Sequence, residues 1–341
     1  MTSGTAAVAA HPVGEPIIEV ADLTRTFTVR RRGNGRGRRV RTTIAAVDAM
    51  TFRVSPGEAV GYIGANGAGK STTIKMLCGI LVPTSGRVRT CGLDPLKHRR
   101  ELSRRIGVVF GQRSQLWWDL PLRESFSILA AIHRLDGAAA GRRTEELVEQ
   151  LEMADTLDTP VRQLSLGQRM RAEIAAALLH SPDLVILDEP TIGLDVLSKA
   201  RLREFLIGER AARGTTLLLT THDMGDIERL CDRVLVVDHG RLAYDGTLPG
   251  LAGTVGAQRV LVVDLTHPTG DLTGIRGTSH LGSEADGLRQ RLGFDAEATT
   301  AADVLAAVAD RADVRDLSIE EPDIEDVVRR IYRSGGGTSP P

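Results

Sequence analysis

At 341 residues, with 42% hydrophobic and 26% charged content, the chain has material for one sizeable globular domain and a smaller one. A formal charge of −1 supplies no global field for gripping a nucleic acid. Cys78, Cys91 and Cys231 have neither close pairing nor metal-ligand spacing and are expected as reduced thiols. No uninterrupted apolar run approaches the roughly 20 residues of a membrane span.

In chain order, residues 1–15 read as a flexible tail without the positive start and long apolar centre of a signal peptide. VRRRGNGRGRRVR (29–41) is too rich in arginine and glycine to build a core. It reads as a solvated hairpin loop or insertion (30–41), with a contact to anionic lipid headgroups as the other reading. EAVGYIG (58–64) predicts a strand running into a glycine-rich turn, and KSTTIKMLCGI (70–80) the helix after it. RIGVVF (105–110), DLVILDE (183–189), TTLLLTT (215–221) and RVLVVDH (233–239) are further strands. Most of these are near-continuous apolar runs, the pattern of strands buried on both faces of a mainly parallel sheet. Helical stretches between them predict an α/β architecture.

From about residue 248 a separate part begins, with a strand at RVLVVDL (259–265) and helical stretches. In DIEDVVRRIY, Ile324, Val327, Val328 and Ile331 share one helical face. A small α+β appendage over 248–333 is expected, followed by a flexible tail at 334–341.

The chemistry is concentrated in a few short motifs. GANGAGKST (64–72) has glycines that let the backbone wrap phosphate oxygens, ahead of a helix N-terminus that favours anions. Lys70 would reach the β- and γ-phosphates, and the Ser71 hydroxyl would help hold Mg²⁺. The glycine spacing and the Lys-Ser pair exclude a dinucleotide fingerprint. DLVILDEP (183–190) then delivers Asp188 to the C-terminal end of an apolar strand, where open α/β sheets bind ligands. Asp188 would hold the metal, and Glu189 would orient the attacking water.

QLSLGQRMR (163–171) makes a resemblance specific. LSLGQ resembles the signature of the ATP-binding-cassette (ABC) family, although Leu166 stands where glycine is usual. Phosphate loop, glutamine, signature, Asp-Glu, GLD (193–195) and His222 follow one another in that family's order. The resemblance covers roughly residues 16–247. It implies a P-loop nucleotide-binding domain with a mainly parallel core sheet, an antiparallel β subdomain and a helical subdomain at about 113–180.

The same resemblance implies roles for individual residues. Phe27 would stack on adenine, and Gly64, Asn66, Gly67, Ala68, Gly69, Lys70, Ser71 and Thr72 would wrap the phosphates of ATP. Gln112 would touch Mg²⁺ and the lytic water; VVFGQ runs one residue long, with Gly111 taken as the extra residue and Gln115 as the alternative. Ser165, Gly167 and Gln168 would meet ATP held by a second copy, and Asp195 would help seal that dimer. His222 would hydrogen-bond the γ-phosphate and act with Glu189.

Further resemblance to the ATPase subunits of ABC-2-type exporters, including the viologen and drug branch, lies in the insertion after Phe27, the FGQRSQLWWDLP block and the appendage. It implies integral membrane permease subunits received at Gln112–Trp118, and peripheral attachment at the cytoplasmic face of the membrane. No nucleic-acid partner is expected. The alternative is a soluble ABC ATPase working on ribosomes or nucleic acid. Of the adjacent Trp117 and Trp118, one is expected to pack inward and the other to face the partner.

Overall fold

The computed structural model describes residues 14–32, 39–111, 114–221, 223–254, 258–295 and 298–320, with side chains excepted at 29–32, 39–40 and 252–254. A long antiparallel hairpin opens the chain, formed by β1 (Ile18–Arg32) and β2 (Arg39–Val54). The arginine-rich segment extends its two limbs, with Arg30 opposite Arg41 and Arg32 opposite Arg39; residues 33–38 lie outside the described residues. β3 (Ala59–Gly64) runs into α1 (Lys70–Leu77), and β4 (Ser85–Thr90) returns to pair with β1. The short α2 (Arg99–Leu102) leads to β5 (Ile106–Phe110).

Three helices follow: α3 (Leu122–His133), α4 (Gly137–Gln150) and α5 (Leu166–Leu178). Asp136 caps α4 by accepting from the Ala139 N–H at 3.0 Å. Ser165 and Gln168 close a reciprocal capping box at the start of α5. The remainder of this part is β6 (Leu184–Asp188), α6 (Val196–Arg213), β7 (Thr216–Thr220), α7 (Met224–Leu230), β8 (Arg233–Asp238) and β9 (Arg241–Gly246).

The central sheet has the order β5-β6-β7-β3-β8-β9, and the β5/β6, β6/β7, β7/β3 and β3/β8 pairs are parallel. Every residue of β3 and β7 is buried, as continuous apolar runs require. One core joins the antiparallel sheet β2-β1-β4, through Ile18, Val20 and Val54, to Tyr62, Ile186 and Leu218 of the central sheet. The phenol of Tyr62 donates to Met50 Sδ at 3.0 Å, so its one polar atom is satisfied inside this core.

The chain divides into two compact units, Met1–Asp245 and Gly246–Pro341. The second contains α8 (Leu248–Thr254), β10 (Arg259–Leu265), β11 (Thr278–Glu284), β12 (Arg289–Phe294), α9 (Ala301–Ala309) and β13 (Val314–Glu320). Its antiparallel sheet has the order β11-β12-β10-β13. Val304 and Val308 of α9 pack on Leu261, Val263, Leu292 and Phe294. The helix expected at DIEDVVRRIY lies outside the described residues.

Candidate functional site

The site begins where β3 stops. Gly64, Gly67 and Gly69 carry the turn from that buried strand to α1, and Gly67 and Gly69 adopt φ of +85° and +105°. A side chain at Gly69 would run into the carbonyl of Ala46. Both strain and close approach therefore demand glycine there. Ala68, buried against Ala65 by a 3.0 Å backbone bond, tightens the loop.

A cleft of about 690 Å³ opens over this loop. Asn66, Gly67, Lys70, Ser71 and Thr72 line one side, and Gly111, Asp188 and Glu189 the other. The parallel register of β5, β6 and β7 makes that meeting possible, placing Phe110 beside Asp188 and Asp188 beside Thr220. Thr220 Oγ1 donates to Asp188 Oδ1 at 2.5 Å and fixes the carboxylate at the strand end. Glu189, one residue on, has φ +57°. A non-glycine residue held there stores backbone strain, which tends to be kept at working sites.

Lys70 is buried, and its ammonium donates to the carbonyls of Gly64 (2.5 Å) and Ala65 (3.3 Å). Burial lowers its pKa from the ordinary lysine value, while the Glu189 and Asp188 carboxylates pull it back up. A cation desolvated among backbone carbonyls and N–H groups, facing two carboxylates across an open cleft, suits a phosphate chain bridged by a divalent ion. Ser71 and Asp188 offer oxygen donors only, the set a hard cation such as Mg²⁺ takes when it keeps several waters.

Ser165, Gly167, Gln168 and Asp195 lie elsewhere on the first unit, none of them lining this cleft. They form their own group: a Cβ on Gly167 would stand 3.5 Å from Leu194 and 4.0 Å from Ser198 Oγ. Asp195 caps α6, accepting from the Ser198 N–H at 2.9 Å and hydroxyl at 2.6 Å. Those bonds hold its carboxyl below the usual carboxylate range. Around them lie exposed apolar side chains: Leu166 (44% exposed), Val196 (86%) and Leu197 (60%).

Phe27 is not among the residues lining the cleft, and the Arg25 guanidinium sits 4.7 Å over its ring. Gln112 and His222 lie outside the described residues. Gln115 is not among the residues lining the cleft, and its side-chain amide donates to the Glu173 carbonyl on α5 at 3.0 Å.

The tryptophan expectation is corrected. Trp117 and Trp118 are both exposed, at 36% and 53%, and Leu116, at 6%, is the buried anchor. The backbone explains why no indole has to go inward. The Trp117 N–H donates to Ser125 Oγ at 3.3 Å, and the Trp118 carbonyl accepts from the Arg162 N–H at 3.0 Å.

Sequence reasoning did not single out Lys75 or Ile192 at the cleft, or the buried Thr220 that holds Asp188. A polar residue closing an apolar strand is the one signal that could have marked Thr220.

A glycine-rich phosphate cradle at the carboxyl end of a parallel sheet, with an Asp-Glu pair across from it, defines a P-loop nucleoside-triphosphate-binding protein. The sequence profile of the ABC transporter family matches residues 47–192. The daunorubicin resistance ATP-binding protein DrrA3 of Streptomyces coeruleorubidus is 37% identical over 64% of this chain and 68% of its own length. The Nod factor export ATP-binding protein I of Paraburkholderia xenovorans is 40% identical over 59% of this chain and 65% of its own. Among solved structures, the ATP-binding cassette MJ0796, described as a dimer in a post-hydrolysis state with ADP and Pi, superposes with a TM-score of 0.58 at 25% identity. That match covers 67% of this chain and 98% of that one. The chain belongs to the ABC transporter ATP-binding family and is an ABC ATPase.

Proposed function

We propose that the protein hydrolyses MgATP as the motor subunit of an ABC exporter, working as a two-fold dimer under separate membrane subunits. The observation that carries the reading is a separation within one unit. The cleft holds a phosphate cradle and an acid pair, whereas Ser165, Gly167 and Asp195 lie apart from it on a face of exposed apolar side chains. A second copy turned by two-fold symmetry brings each such face to the other's cleft, and buries Val196 and Leu197 in doing so.

Each residue then has a role in phosphoryl transfer to water, a reaction governed by positioning and charge stabilisation. Gly64 to Thr72 wrap the phosphates with backbone N–H groups, and Lys70 neutralises the β- and γ-oxygens. Ser71, Asp188 and Gln112 would hold Mg²⁺, which would offset negative charge on the phosphates. Glu189 orients the attacking water, with His222 on the γ-phosphate. Ser165 and Gly167 close the site from the opposite subunit, with Gln168 holding Ser165 in place. Phe27 supplies a face for adenine once Arg25 moves aside.

Export is supported by the names of the two relatives, one a resistance protein and one an export protein. Attachment to the cytoplasmic face of the membrane would come through permease subunits seated on the exposed Trp117 and Trp118. No helix among the described residues is long and apolar enough to cross a membrane. Two measurements test the reading. Lys70→Ala should lose ATP-dependent thermal stabilisation. Tagged protein should co-purify with an integral membrane protein; recovery of ribosomes or nucleic acid instead would sink the transport assignment.

A further inference from the structure

Glu173 lies two turns along α5 from the Ser165 cap and is 6% exposed, though nothing in the cleft uses it. A buried carboxylate needs partners, and among the described residues this one draws its hydrogen bonds from a single loop. Ser114 Oγ donates to one carboxylate oxygen, and the Gln115 N–H donates to the other at 3.2 Å. The Gln115 side chain completes a clasp by donating to the Glu173 backbone carbonyl at 3.0 Å. Ser114 Oγ also accepts from the Leu116 N–H at 3.1 Å, so the loop's shape is set from the same point. Directly beyond stand Trp117 and Trp118, and Arg169, one turn before Glu173, lies 5.9 Å from the Trp118 ring. Burial raises the Glu173 pKa, and the Ser114 and Gln115 bonds pull it back down.

We infer that Glu173 is a positioning residue that couples the helix beginning at Ser165 to the Trp117–Trp118 loop, so that nucleotide engagement at Ser165 resets the tryptophans. The inference rests on the proposed role of Ser165 at the partner subunit's ATP. Helix α5 is the lever: one end carries Ser165, and a rigid two-turn segment carries the carboxylate that grips the loop. Rotation or translation of α5 on dimer closure therefore has to carry Ser114 and Gln115 with it or break buried bonds to a charged group. The direction also reverses, since a partner pressing on the tryptophans pulls on α5. Arg169 adds a second, weaker hold on the same loop.

Trp117 and Trp118 are the only tryptophans in the chain, so tryptophan emission, excited at wavelengths that tyrosine does not absorb, reports this loop alone. The experiment uses the full chain with MgATP, reading emission and thermal stabilisation side by side. The wild type should show both an ATP-dependent emission change and stabilisation. Glu173→Gln keeps the side-chain size, and Ser114→Ala alters an exposed residue, so at least one of the two remains folded. Each should keep ATP-dependent stabilisation while losing most of the emission change. The double variant should lose no more than either alone, the non-additivity of groups in one interaction. Variants that keep the full emission change, or a wild type stabilised by ATP with unmoved emission, would overturn the coupling. A wild type that ATP does not stabilise at all would instead remove the ATP reading, and the coupling with it.

Discussion

The Leu166 side chain lies over Gly193, its Cδ2 standing 2.5 Å from where a Cβ on Gly193 would be. Leu166 occupies the signature position where glycine is usual, and Gly193 opens the loop leading to Asp195. The exchange of a small residue for a large one therefore joins two loops of the proposed dimer face within one chain. Gly193 has φ +72°, a conformation a side chain disfavours by about 1–2 kcal/mol. Gly193→Ala should cost that much stability in urea unfolding, with little added by the clash, since the half-exposed Leu166 tip can swing away. Leu166→Gly in the same background should then rescue little. Full rescue would show that the contact, not the backbone, sets the cost.

The depth to which this was legible in the sequence follows from how local each feature is. The phosphate loop, the Asp188–Glu189 pair and the buried strands are contiguous runs, so their chemistry and burial pattern stand in order along the chain. The clasp between Ser114 and Glu173 joins residues 59 apart, and the Thr191–Asp226 bond residues 35 apart. Those meetings depend on how helices pack on the sheet, which no local pattern encodes. The tryptophan pair misled for a different reason. Two large rings suggested a need for a buried anchor, but Leu116 and the two backbone bonds at Trp117 and Trp118 already anchor that loop.

Asp226, fully buried on α7, ties together the segments following β6 and β7. It accepts from Thr191 Oγ1, from Thr221 Oγ1 at 3.3 Å and from Arg203 Nε at 2.6 Å. Removing one member of a buried ion pair leaves the other uncompensated, at a cost of about 3–5 kcal/mol. Asp226→Ala should lose stability on that scale in denaturant titration and lower ATPase activity at temperatures where the variant remains folded. A loss below about 1 kcal/mol would mean that Asp223, 3.5 Å from the guanidinium, or water satisfies Arg203 and the Asp226 network holds nothing in place.

His180 gives a pH dependence with a definite sign. Its ring stacks on His133 at 3.9 Å, its Nε2 meets the Ile106 carbonyl at 3.0 Å, and its buried Nδ1 finds no hydrogen-bond partner among the described residues. Burial, then the neighbouring His133, pushes its pKa down to about 3. The unfolded chain takes up this proton near pH 6.5 and the native state does not. Stability is therefore whole above 6.5 and falls by about 1.4 kcal/mol per pH unit as acid is added toward pH 3. His133, lowered by burial and by Arg104, acts in the same direction. Unfolding free energies between pH 5 and 7 should show this slope in the wild type and a shallower one in His180→Gln. Equal slopes in the two proteins would assign the acid sensitivity to other groups.

In the proposed dimer the cleft and the Ser165 face are two halves of one site completed by a second copy. Glu189→Gln would remove the group proposed to orient water while leaving the phosphate cradle intact. Light scattering of that variant should give a monomer mass without nucleotide and twice that mass with MgATP, with hydrolysis abolished. A Glu189→Gln protein that hydrolyses ATP normally and remains monomeric at saturating MgATP would contradict the account.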